Sequence, residues 1–122
     1  MELPTTSTRD VLDHHLQCFG AGDLEGTLAD YTADSVLLTV DGAVRGLPAI
    51  RQFFAGVFAE FGQPGTTATM RQVLVEGDCA FVCWDAETPD HTYEAASDTF
   101  LIRDGRIAVQ TFAAKISPKR AG

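Results

Sequence analysis

Two neighbouring strand patterns place an aspartate and a glutamine where their side chains can meet. Asp104-Gly105 separates two apolar-rich runs and predicts a β-hairpin, because both central residues of a type I′ turn need positive φ. Alternation along the strands puts Asp98 and Phe100 on one side of the first strand, and Gln110 and Phe112 on one side of the second. If these sides coincide, the carboxyl lies among apolar residues and must be paired, hydrogen-bonded or neutral.

A histidine on the first predicted helix is the second candidate for acid–base chemistry. Leu12, Leu16 and Phe19 form the predicted core stripe, and His15 lies in the adjoining row, at the margin of the buried face. A histidine has an unperturbed pKa that suits either a base or a proton donor. Asp98 and His15 therefore form either an acid–base unit or a structural pair of hydrogen-bonded side chains, and both interpretations stay open.

Further polar residues have a structural interpretation beside a chemical one. Asp41 follows Thr39 on one face of a predicted strand, so it is either a base or half of an Asp41-Gly42 turn. His91 lies next to a Pro89-Asp90 loop and is predicted to be exposed. Asp85 and Glu87 share the face opposite Trp84 and are predicted to lie on the outer face of the sheet.

Composition restricts the class of protein. The 122 residues suffice for one domain. The net charge of −8 and the absence of a basic patch argue against a nucleic-acid partner. The N-terminus lacks the pattern of a signal peptide, and no apolar stretch is long enough to span a membrane, so a cytoplasmic protein is expected. We expect Cys18, Cys79 and Cys83 to be reduced and buried, and their spacing predicts no metal site.

Periodicity and turn residues predict an α+β domain with helices mostly first and an antiparallel meander last. The predicted order is two helices, one strand, a third helix that begins at Pro48, and four more strands. Tyr31 continues the apolar stripe of the second helix. Loose tails are expected at residues 1–6 and 117–122, and the domain spans residues 1–122.

Three segments of this pattern resemble the NTF2-like superfamily, which includes the SnoaL-like polyketide cyclases and the ketosteroid isomerases. They are GAGDLEGTLADYTADSV (20–36), RGLPAIRQFF (45–54) and DTFLIRDGRI (98–107). The resemblance implies a cone: a strongly curved, mostly antiparallel sheet wrapped around the helices, with an apolar cavity inside. It also implies a homodimer formed through the outer face of the sheet.

The resemblance carries isomerase roles onto single positions of this chain. The protonated aspartic acid of those enzymes matches Asp98, and the tyrosine of their first helix falls on His15. The position of the general base falls on Thr39, which cannot act as a carboxylate, so true steroid isomerase activity is not expected. A supporting tyrosine of some isomerases matches Tyr31.

The predicted function is therefore a cofactor-free isomerase, cyclase or dehydratase that acts on a small apolar carbonyl compound, with Asp98 as acid and His15 as base or hydrogen-bond partner. The alternatives are a non-catalytic binding protein for a small hydrophobic molecule and a protein-interaction module. No cofactor or metal is expected. The residues predicted to line the cavity are Tyr31, Thr39, Phe54, Trp84, Phe100, Gln110 and Phe112.

Overall fold

The computed structural model describes residues 7–119, so the predicted tail at residues 1–6 lies outside the described residues. Within them, three helices cover a six-stranded sheet; two of the helices precede the first strand, and the third follows the second strand. In chain order the elements are α1 (Thr8–Ala21), α2 (Leu24–Leu28), β1 (Tyr31–Thr39), β2 (Gly42–Arg45), α3 (Gly46–Phe61), β3 (Thr67–Glu76), β4 (Cys79–Glu87), β5 (His91–Arg103) and β6 (Arg106–Pro118).

The helix ends follow local sequence signals. Ser7 and Asp10 form a reciprocal capping box at the start of α1, and Gly22 closes that helix in the left-handed conformation. Asp23 caps α2 by accepting a hydrogen bond from the backbone N–H of Gly26 at 2.9 Å.

The strands form one sheet in the order β2-β1-β6-β5-β4-β3. All neighbouring pairs are antiparallel except β1 and β6, which are parallel. The predicted β5–β6 hairpin is present, and both Asp104 and Gly105 have positive φ, as a type I′ turn requires. The α+β class and the curved, mostly antiparallel sheet are confirmed.

Three aligned irregularities bend the sheet. The register shifts between Met70 and Gln72 on β3, between Trp84 and Ala86 on β4, and between Glu94 and Ser97 on β5. Such bulges kink a strand and increase its twist. Because they lie side by side on three adjacent strands, they curve one half of the sheet around the helices.

One core fills the inside of this curve. Its buried members are Val11, Leu12, Leu28, Tyr31, Leu37, Ile50, Phe54, Ala80, Val82, Phe100, Ile102 and Ile107. Leu16 and Phe19, predicted as core, are only partly buried, because the face of α1 that carries them is turned toward the pocket described below.

Several element predictions are corrected by the structure. The prediction missed β2, whose four residues are too short to show alternation. Tyr31 begins β1 rather than continuing α2, and Ser117 and Pro118 belong to β6 rather than to a tail. Cys79 is exposed and Cys83 half-buried, so only Cys18 is buried as predicted; all three are free thiols.

Candidate functional site

Asp98 lies at the centre of the inner face of the sheet. Its strand neighbours at the same level are Val82 on β4 and Phe112 on β6. Its carboxylate is buried and accepts two hydrogen bonds, from the indole N–H of Trp84 to Oδ1 at 2.9 Å and from the amide of Gln110 to Oδ2 at 2.8 Å. The predicted meeting of Asp98 and Gln110 is therefore observed.

A second hydrogen bond fixes the orientation of Gln110. The hydroxyl of Tyr31 donates to Gln110 Oε1, which leaves the amide nitrogen of Gln110 directed at Asp98. Gln110 is buried next to Leu37 of β1, its partner in the parallel pair. The result is a chain of donors that runs from Tyr31 through Gln110 to Asp98.

Burial and these donors act on the pKa of Asp98 in opposite directions. Loss of hydration raises the pKa of the Asp98 carboxyl to about 6, against the lowering effect of the Trp84 and Gln110 hydrogen bonds. Burial also raises the pKa of the Tyr31 phenol well above its usual value, so Tyr31 stays a neutral donor. A carboxyl with a pKa near the working pH can both accept and return a proton.

His15 lies in the middle of the buried face of α1, not at its margin as predicted. Its ring contacts the edges or faces of three aromatic rings, those of Tyr31, Phe54 and Phe100, at centroid distances of 5.1–6.1 Å. Among the described residues its Nδ1 is buried without a hydrogen-bond partner. Burial, with a smaller effect from His14, lowers the pKa of His15 to about 4, so the ring is neutral.

A pocket of about 450 Å³ opens between the helices and the inner face of the sheet. Eight of the nine residues singled out from the sequence line it; the exception, Tyr31, lies behind Gln110. The eight are His15, Thr39, Phe54, Trp84, Asp98, Phe100, Gln110 and Phe112. Among the described residues no hydrogen bond joins Asp98 to His15.

Aromatic rings form one wall of this pocket. Trp84 stacks on Phe112 with a centroid distance of 6.1 Å and an angle of 22° between the rings, and it also contacts Tyr93 and Phe61. These rings fix the indole, so its N–H stays aimed at Asp98. A flat apolar molecule fits against such a surface.

One end of the pocket is formed by the β1–β2 turn. The hydroxyl of Thr39 donates to the carbonyl of Gly42 at 3.2 Å and accepts from the backbone N–H of Asp41 at 3.1 Å. This hydroxyl is therefore occupied by the turn. Asp41 also lines the pocket, but as an exposed member of the turn rather than as a buried base.

Two polar clusters were missed by the sequence interpretation. Glu60 of α3 accepts hydrogen bonds from Thr88, His91 and Tyr93 at 2.7–2.9 Å. His91 is thus half-buried at the start of β5 rather than free in a loop. These donors outweigh burial and lower the pKa of Glu60. These contacts could not be predicted from the sequence, since α3 and β5 are distant in the chain.

The other cluster joins α1 to the start of β1. The ring of His14 contacts the buried carboxylate of Asp30 at 2.8 Å. Burial raises the pKa of Asp30, with His14 acting against it. Within residues 7–119 no group of three or more histidine, cysteine or acidic side chains is arranged to hold a metal ion, and no helix there is long and apolar enough to cross a membrane.

The curved sheet, the helices inside it and the pocket between them define an NTF2-like domain. The chain belongs to the SnoaL-like domain family, whose family model matches residues 12–110. The sequence has no match among curated proteins.

Solved structures share the fold at low sequence identity. An NTF2-like protein of unknown function from Cytophaga hutchinsonii is 14% identical, with a TM-score of 0.72 and coverage of 94% of this chain and 95% of that one. A protein from Sinorhizobium meliloti provisionally named polyketide cyclase is 20% identical, with a TM-score of 0.71 and coverage of 91% and 95%. One from Kribbella flavida provisionally named ketosteroid isomerase is 15% identical, with a TM-score of 0.73 and coverage of 97% and 86%.

Proposed function

We propose that this protein is a cofactor-independent enzyme that moves a proton on a small apolar carbonyl compound bound in the pocket, in an isomerisation, cyclisation or dehydration. The observation that carries the proposal is Asp98, a buried carboxylate that lines a mostly apolar pocket and is held there by Trp84 and Gln110. A fixed, buried carboxylate is suited to proton transfer at a carbon next to a carbonyl.

Asp98 is the proton carrier in this scheme. The pKa of Asp98, about 6, lies above that of His15, about 4. As the pH falls, Asp98 therefore takes up a proton before His15 does. At neutral pH the carboxylate takes a proton from the substrate carbon, with the electron pair passing to the carbonyl oxygen. The resulting acid then returns the proton to another carbon, or to an oxygen that leaves as water.

His15 acts as a hydrogen-bond partner rather than as a base. Its neutral ring carries one N–H, and since Nδ1 has no acceptor among the described residues, we assign the hydrogen to Nε2. A neutral imidazole of this kind can donate to the oxygen on which negative charge develops. Thr39 supplies no carboxylate, so the two-carboxyl arrangement of the steroid isomerases is not proposed.

Deuterium exchange of 2-tetralone tests the proposal, because this flat bicyclic ketone has acidic protons next to its carbonyl. We expect the protein to accelerate exchange in D₂O, followed by NMR, with a rate that rises with pH through about 6. Asp98→Asn should reduce the protein-catalysed rate by about 10²-fold or more. Asp104→Asn, the same change in the exposed β5–β6 turn, is the matched control and should keep it.

Binding of 2-tetralone without exchange would overturn the catalytic proposal. It would leave the non-catalytic alternative, in which the pocket only holds a small hydrophobic molecule. Fluorescence of Trp84, the one tryptophan in the chain, reports binding in the same samples. Failure to bind at all, together with a contiguous apolar surface that stays exposed after dimerisation, would favour the interaction module.

We also propose a homodimer formed through the outer face of the sheet. One uncharged row crosses five strands there: Leu74, Phe81, Thr99, Thr111 and Leu38. Leu74 is 54% and Leu38 42% exposed, and the residues between them carry no charge, so the row offers a continuous uncharged surface to a partner. A second copy of the same row would cover both leucines.

The free cysteines fit a reducing compartment, so the cytoplasm is the proposed location.

A further inference from the structure

The charged residues that line the pocket are all acidic. Asp98 lies inside and Asp41 lies on the β1–β2 turn, and no lysine or arginine is among the described lining residues. His15, which also lines the pocket, is neutral because burial lowers its pKa to about 4, and Tyr93 is neutral because burial raises the pKa of its phenol. The pocket therefore presents negative charge to whatever enters it.

The protein does not neutralise this charge. The donors to Asp98 are the neutral side chains of Trp84 and Gln110, and no cationic side chain within residues 7–119 forms an ion pair with Asp98. A buried carboxylate without a countercharge disfavours anionic ligands and favours cationic ones. The net charge of −8 acts in the same direction at longer range.

The aromatic wall favours the apolar part of a ligand. Trp84, Phe112 and Tyr93 pack together near Asp98 and offer a flat apolar surface. Most of the remaining lining is aliphatic or aromatic. The ligand that fits both features has an apolar body and a positively charged nitrogen.

We propose that the substrate class of this pocket is an apolar carbonyl compound that also carries an ammonium group, with the ammonium at the mouth beside Asp41 and the apolar body against Trp84 and Phe112. The position of the carbonyl at Asp98 rests on the proposed function. An ammonium beside Asp98 itself would hold that carboxyl ionised and stop it from taking a proton. At the exposed turn, by contrast, the ammonium keeps part of its water.

Three probes with one bicyclic skeleton and different charges test this inference: 2-aminotetralin (cation), 2-tetralol (neutral) and tetralin-2-carboxylate (anion). Their dissociation constants are measured by Trp84 fluorescence at pH 7. At low salt we expect the cation to bind about 3- to 5-fold tighter than the alcohol, as for a partly exposed ion pair, and the anion to bind weaker than the alcohol. About 0.5 M salt should shrink the cation preference.

Variants assign the preference to a residue. Asp41→Asn should remove most of the cation preference and leave the smaller effect of Asp98, whereas Asp104→Asn, which makes the same change of net charge outside the pocket lining, should keep the preference. Equal or tighter binding of the anion, an undiminished cation preference in Asp41→Asn, or no binding of any probe would each overturn the inference. A charge preference without 2-tetralone exchange would overturn the proposed function alone.

Discussion

At the residue scale, the protonation of Asp98 depends on the balance between its burial and its two N–H donors. Trp84→Phe keeps a ring in the aromatic wall but removes one donor. A hydrogen bond to a charged group contributes about 1.5–3 kcal/mol, so the pKa of Asp98 should rise by roughly 1–2 units. NMR titration of the Asp98 carboxyl carbon measures this shift.

Tyr31→Phe is the matched control, because it removes a hydroxyl that reaches Asp98 only through Gln110. Its effect on the pKa of Asp98 should be clearly smaller than that of Trp84→Phe. An unchanged pKa in Trp84→Phe would show that the indole N–H does not stabilise the carboxylate.

The sequence allowed the contact between Asp98 and Gln110 to be predicted, because strict alternation on both sides of a recognisable turn determines which side chains share a face. The contact between Asp98 and Trp84 was not predictable. It depends on the register of β4 against β5, which shifts just beyond Trp84. The full burial of His15 was not predictable either, since it depends on which side of α1 packs against Tyr31, Phe54 and Phe100.

At the element scale, the junction of α1 and α2 leaves no room for a side chain at Gly26. A Cβ there would lie 2.8 Å from Cys18 Sγ and 2.4 Å from Asp23 Oδ2, the carboxylate that caps α2. Gly26→Ala should therefore destabilise the protein by about 1 kcal/mol, the usual effect of losing a cap, although alanine is the better helix former. Urea unfolding measures the difference.

Gly56→Ala provides the comparison, because Gly56 is exposed within α3 and a Cβ there meets no atom within 4 Å. This variant should gain about 0.5–1 kcal/mol from helix propensity. Opposite changes in the free energy of unfolding for the two variants would separate the effect of packing from that of helix propensity. A Gly26→Ala variant that is more stable than wild type would show that the α1–α2 junction can shift to accommodate a Cβ.

The resemblance predicted a curved sheet, but the residues at which the sheet bends were not predictable. Asp85 accepts a hydrogen bond from the backbone N–H of Ala95 at 3.0 Å and one from Arg71 at 2.7 Å, so one side chain links the bulges of three strands. Ala95 has a φ of 50°, a conformation that alanine rarely adopts. Nothing local in an Ala-Ala-Ser run indicates it, because the strain is compensated by contacts across the sheet.

At the scale of the whole molecule, the uncharged outer row predicts association. The chain has a mass of 13.1 kDa, and light scattering should give about twice that value for the wild-type protein. Thr99 lies in the middle of the row, on β5, and is exposed. Thr99→Lys should shift the mass toward that of one chain, since like charges would face each other near the symmetry axis.

Gln17→Lys, which adds the same charge to an exposed position of α1, serves as its control and should leave the dimer intact. A wild-type protein that stays at the mass of one chain would refute the proposed interface, whatever the variant does.

The pH dependence of stability combines two buried groups that act in opposite directions. Folding raises the pKa of Asp98 from 3.8 to about 6, so its contribution is fully present below about pH 4 and is lost as the pH rises through 6. Folding lowers the pKa of His15 from 6.5 to about 4, so its contribution is present above about pH 6.5 and is lost as the pH falls through 4. Each shift of roughly two units corresponds to about 3 kcal/mol.

Because these two contributions oppose each other between pH 4 and 6.5, they nearly cancel in the wild-type protein, and removing either group should reveal the other. Relative to wild type, Asp98→Asn should gain stability as the pH rises across this range, while His15→Phe, which keeps an aromatic ring among Tyr31, Phe54 and Phe100, should lose stability. Urea unfolding at several pH values measures both differences, and taking each against wild type removes the effects of the other carboxylates. Parallel curves for wild type and Asp98→Asn would mean that Asp98 titrates alike in the folded and unfolded chain, and the proton carrier proposed for the pocket would lose its physical basis.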